Sequence, residues 1–139
     1  MRRITPAMIA CWVLVASIAF GPAIALPSWP WLPIGNRAPF VTDKLSVLIV
    51  EETDKRTPAL DAVFIATQKA ALAAGGRYRQ LDKDQRDLSM DEKWVQDAWI
   101  VKGEAVPWIV AATPRTGVNQ ALPPAPDEAL KLLSPLGVK

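Results

Sequence analysis

From residue 42 onward, apolar and polar positions follow one another in short strand-like runs and helical stripes. Leu45-Ser46-Val47-Leu48-Ile49-Val50 is a near-continuous, β-branched apolar run suited to a central strand buried on both faces. A polar loop follows over residues 51–56, and Thr57-Pro58 supplies a capping hydroxyl ahead of a proline fit for the first helical position. Leu60, Val63, Phe64, Thr67, Ala71 and Ala74 recur at helical spacing, predicting a helix that Gly75-Gly76 ends. Residues 77–82 read as a short strand with Tyr78 and Leu81 on opposite faces. Ser89-Met90-Asp91-Glu92 has the S-x-x-E spacing of a capping box. It predicts a helix beginning at Ser89 and running through Trp94, Val95, Ala98 and Trp99 to about Gly103. A second buried-type strand is expected over 106–112, a turn over 113–117 and a strand near 118–121. The last helix starts at Pro126, carries Asp127 and Glu128 in its first turn, turns Leu130, Leu132 and Leu133 to the core and stops at Pro135.

The resulting order, β-α-β-α-β-β-α, implies a parallel strand pair joined by a helix, with a hairpin adding an antiparallel partner. This is an α/β sandwich, and no internal repeat of solenoid length accompanies it.

The N-terminal third has a different pattern. Residues 7–26, AMIACWVLVASIAFGPAIAL, form an apolar run behind Arg2 and Arg3. Two readings fit such a segment. As a signal peptide, Gly21-Pro22 breaks the apolar helix before the small-x-small site Ala23-Ile24-Ala25, and cleavage leaves Leu26 first. As a retained signal anchor, the run is long enough to cross a bilayer, and Trp29 and Trp31 fall at the far interface. Residues 26–40 hold four prolines and show no period, as a spacer or a packed arm would. The expected organisation is therefore a signal or anchor over 1–25, a Pro/Trp-rich linker over 26–43 and the α/β domain over 44–139.

Charge and composition narrow the chemistry. The formal charge of +2 comes from Arg2 and Arg3, because the rest of the chain carries equal numbers of each sign. A nucleic-acid footprint needs a basic excess, which this domain lacks. There is no His, and the single Cys is Cys11, inside the apolar segment. Ser-His-Asp and Cys-His machinery, haem held by histidine and His-containing zinc sites are thereby excluded.

The element order, with Val106-Pro107 opening the third strand, resembles the thioredoxin fold over about residues 44–137. In that family a Cys-x-x-Cys pair at the start of the first long helix faces a cis-proline that begins the third strand. The corresponding segments here are VEETDKRTP, residues 50–58, and Val106-Pro107. Where the family has two cysteines this chain offers Asp54, Lys55, Arg56 and Thr57, none of which forms the thiolate that disulfide exchange requires. The resemblance therefore implies a redox-inactive scaffold whose groove, lined by Asp54, Lys55, Arg56, Thr57, Val106 and Pro107, binds an extended protein or peptide segment. No cofactor or metal is expected.

Other constellations point less far. Asp82-Lys83-Asp84-Gln85-Arg86-Asp87 starts like a calcium loop but lacks the turn glycine at its sixth position and a bidentate Glu at its twelfth, which is Lys93. Glu51, Glu52 and Asp54 sit where α/β sheets place their sites and offer carboxylates for an envelope enzyme, but surface charge pairing with the adjoining Lys55 and Arg56 is the favoured account. The loop has no glycine to cradle a phosphate. The expected function is thus an exported, non-enzymatic binding module with a protein or peptide partner at the cell envelope. The alternatives are an anchored structural or assembly component, with the domain outside the cytoplasm, and a carboxylate enzyme.

Overall fold

The computed structural model describes residues 37–139. The apolar run at 7–26, the cleavage site at Ala23 and Ala25, and Trp29 and Trp31 lie outside the described residues. Within those residues the elements are β1 (Ser46–Glu51), α1 (Pro58–Ala73), β2 (Arg77–Asp82), α2 (Lys93–Val101), β3 (Trp108–Ala112), β4 (Gly117–Ala121) and α3 (Pro126–Leu133), with 3-10 turns at Thr53–Lys55 and Ser134–Leu136. This is a small α/β domain of β-α-β-α-β-β-α order with no cysteine pair. No helix among the described residues is long and apolar enough to cross a membrane.

The four strands form one sheet in the order β2-β1-β3-β4. β1 pairs with β2 in parallel and with β3 antiparallel, and β4 completes the hairpin with β3. Every residue of β1 is buried, because the strand is central and covered on both faces. Val47 and Ile49 join Val63, Phe64 and Ala71 of α1 and Ala129 and Leu133 of α3. Leu48 and Val50 face the other way, onto Trp94, Val95 and Ala98 of α2. Tyr78 packs toward the first layer and Leu81 belongs to the second, as their odd spacing on a strand requires.

The first helix forms as its sequence signals dictate. Thr57 is the N-cap and its hydroxyl accepts from the Leu60 amide at 3.2 Å, with Pro58 at the start of the helix. The helix ends as the chain turns at Gly75, whose φ of +74° is a left-handed conformation that glycine adopts without a Cβ penalty. Gly76 is needed for a different reason: a Cβ there would lie 2.9 Å from the carbonyl oxygens of both Ala71 and Leu45.

Three expectations are corrected. α2 starts at Lys93 with Glu92 as an N-cap that makes no side-chain capping bond, so the capping box at Ser89 does not form. The Ser89 amide instead donates to Asp87 at 2.9 Å, and the Glu92 carboxylate accepts from Arg77 at 3.3 Å rather than folding back on its own helix. A local turn and a tertiary ion pair thus take both partners of the predicted motif. Along α3 Leu133 is fully buried and Leu132 packs against the core as expected, while Leu130 is only half-buried and Ala129 takes the other fully buried position. Ala74, the last residue of the predicted α1 stripe, is exposed.

Residues 37–43 lie along the domain. Phe40 is buried and stacks on Trp94 with ring centroids 6.3 Å apart, and Arg37 bridges antiparallel to Thr116. Trp94 also lies under the Arg77 guanidinium, 5.4 Å from its ring centre. Its indole Nε1 is the buried side-chain polar atom without a partner among the described residues.

Because Ile49 is fully buried, Ile49→Ala is expected to destabilise the domain by about 2–5 kcal/mol, the lost transfer energy plus the cavity. Met90 is 94% exposed, and Met90→Ala is expected to stay within about 0.5 kcal/mol of wild type. Urea unfolding monitored by tryptophan fluorescence measures both.

Candidate functional site

The ends of β1 and β2 and the beginning of β3 meet at one end of the sheet. Glu51 is in register with Asp82, and Val50 with Trp108, so Pro107 lies one residue beyond the last β1–β3 pair. The loop into α1 and the approach to β3 are therefore brought to the same end of the sheet.

Glu51 is the central group. It is 2% exposed at the end of a buried strand, and a carboxylate there requires compensation. Arg56 supplies it in bidentate fashion, with Nε donating to Oε2 at 3.2 Å and Nη2 donating to Oε1. Gln80 Nε2 donates to Oε1 at 3.0 Å, and the Tyr78 hydroxyl donates to Gln80 Oε1 at 3.1 Å. Hydrogen bonding to Glu51 raises the Arg56 pKa, while burial and then the Glu51 charge raise that of Tyr78, which stays a protonated donor. The Arg56 guanidinium also stands 5.7 Å over the Phe64 ring, and its Nε is 3.6 Å from Asp61.

A second set of bonds ties the loop to the end of β2. The Asp82 carboxylate accepts from the Thr53 amide at 2.9 Å and from the Asp84 amide at 2.8 Å. Hydrogen bonds from Thr53 and Asp84 hold its pKa down at about 2, below the ordinary 3.8. The Lys83 amide donates to the Glu51 carbonyl at 2.7 Å, extending the parallel ladder by one residue. Glu52 pairs with Lys55 at 2.8 Å and lies 3.8 Å from Lys83.

Asp54 and Lys55 are exposed on the 3-10 turn, and Arg56 is its C-cap. The hydroxyl of Thr57 is used by its own helix. Val106 and Pro107 are half-buried, and the peptide bond between them is cis. The Pro107 carbonyl accepts from the Leu122 amide at 3.0 Å, whereas Val106 makes no backbone hydrogen bond among the described residues. Behind them the Trp108 indole donates to Asn119 at 2.6 Å, and Asn119 donates to the Val101 carbonyl at 2.8 Å. Gly103 is so close to the Trp108 ring that a Cβ would stand 2.5 Å from it.

Glu51 and Glu52 do not act as one pair of carboxylates. Glu51 is taken by Arg56 and Gln80, Glu52 by Lys55 and Lys83. Surface charge pairing thus describes Glu52, while Glu51 is a buried ion pair. Gln80 was not singled out from sequence, and Tyr78 was read only as a strand residue, not as part of a site. Their shared i, i+2 face was visible, but their meeting with Glu51 depends on the parallel register of β2. Among the described residues no group of three or more His, Cys, Asp or Glu side chains is placed to hold a metal ion. No protein-family model, curated protein or solved structure matches the chain.

The low Asp82 pKa fixes a pH dependence. A carboxyl held below its ordinary value contributes stability that is present above about pH 4 and is lost as the pH falls toward 2. Acidification through that window is expected to release the Thr53 and Asp84 amides, read as shifts of their resonances. Asp82→Asn is expected to remove that titration at both amides while leaving the resonances of β1 in place.

Proposed function

We propose that this chain is an exported, redox-inactive thioredoxin-like domain that binds an extended segment of another protein at the cell envelope. The groove is formed by Asp54, Lys55, Arg56 and Thr57 on one side and Val106 and Pro107 on the other. One observation carries the reading: the sheet brings the loop entering α1 and the approach to β3 to the same end, with the Val106 backbone unpaired there among the described residues. An unpaired backbone group beside a strand end can hydrogen-bond an incoming extended chain, which takes its specificity from flanking side chains. A thiol-free loop at this position fits retention of a partner without exchange of a disulfide.

Selection of a random peptide display library on the full chain, followed by amide-shift mapping with a selected peptide, tests the site. The largest shifts are expected at residues 54–57 and at Val106. Shifts centred on the far end of the sheet, or no enriched peptide, would refute the assignment.

The apolar run behind two arginines supports export, and its small-x-small site supports release. The intact mass of the envelope-derived protein is expected to begin at Leu26. A full-length species in the membrane fraction would instead favour the anchored assembly component.

A further inference from the structure

Arg56 belongs to a loop, yet its guanidinium is oriented by a strand. Glu51 is the last residue of the buried central strand, and it holds Arg56 through Nε and Nη2 together. The carboxylate is itself braced, because Oε1 also accepts from Gln80, whose own oxygen accepts from Tyr78. The Arg56 amide closes the 3-10 turn on the Thr53 carbonyl at 3.3 Å, and the next residue caps α1. Fixing this side chain therefore fixes the lip of the groove.

Of the five guanidinium N–H donors, both on Nη1 and the second on Nη2 have no acceptor among the described residues; Nη1 is the nitrogen that Glu51 does not engage at all, and the Arg56 side chain is 37% exposed. The charge of Arg56 is already balanced by Glu51. Across residues 51–61 the carboxylates Glu51, Glu52, Asp54 and Asp61 outnumber the cations Lys55 and Arg56. A carboxylate brought to this lip would meet net negative charge, whereas a neutral carbonyl oxygen would meet a fixed donor.

We infer that Glu51 is a positioning residue whose buried carboxylate orients Arg56 so that Nη1 donates to a backbone carbonyl of the bound segment. This role rests on the binding reading above.

The full chain is tested as Glu51→Leu, Arg56→Leu and the double variant. Each single change leaves one charge without its partner and is expected to destabilise the fold, whereas the double change removes both charges and restores folding. In the refolded double variant, amide exchange over residues 53–57 is expected to accelerate at least about tenfold while Val47 to Val50 stay protected. Affinity for the selected peptide is expected to fall by at least about tenfold, as is that of Arg56→Lys, which keeps the charge but not the fork. Wild-type affinity is expected to change by less than about threefold between about 50 and 500 mM salt.

A double variant with wild-type exchange and affinity would make the pair purely structural and overturn the inference. A steep salt dependence would indicate an acidic partner and overturn the carbonyl contact. If wild type binds no peptide but the loop still loosens in the double variant, the binding reading falls and the hold of Glu51 on the loop stands.

Discussion

The domain depends on a central strand that is buried along its whole length and ends in a charge. The apolar residues of β1 are covered by α1 and α3 on one face and by α2 on the other. Glu51 continues the strand into the same buried layer, where an ionised carboxylate is tolerable only with a close, well-oriented cation. Arg56 is that cation. The 3-10 turn lies between them, and Arg56 leads directly into the Thr57 N-cap of α1, so the ion pair ties the end of β1 to the entry of that helix.

The other end of β1 has a related arrangement. Ser46 is fully buried, and its hydroxyl accepts from Arg77 Nε at 3.2 Å. Arg77 also reaches Asp43 at 2.5 Å and Glu92 at 3.3 Å, linking the entry to β1 with the start of α2. Each end of the central strand is thus secured by an arginine to a buried polar side chain. The two differ in their donors: Arg77 has its donors on Ser46, Thr42, Asp43 and Glu92, whereas Nη1 of Arg56 is not engaged among the described residues.

Much of this architecture was legible in the sequence because its signals are local. The β-branched run before Glu51, Thr57-Pro58 and Gly75-Gly76 each act through their own backbone, and each placed an element correctly. At the start of α2 a neighbouring turn and a tertiary ion pair together displaced the local capping signal. Ser89 and Glu92 have the right spacing to cap a helix, yet Asp87 and Arg77 offer them better partners. That residues 54–57 form the turn entering α1 was legible in the sequence, but the burial of Glu51 was not. Its supports, Gln80 and Tyr78, lie 29 and 27 positions away and meet it only through strand pairing. A hydrophilic pair at a strand end reads as solvated until the neighbouring strand is known.

The most direct test of this account is the behaviour of the Arg56 side chain itself in solution. Nitrogen-edited spectroscopy of the arginine Nε–H groups should find Arg56 restricted in motion and slow to exchange with water. The exposed Arg86 and Arg115 serve as internal references for a mobile guanidinium. An Arg56 Nε–H that exchanges and moves as freely as those two would contradict the claim that the buried carboxylate of Glu51 organises this end of the molecule.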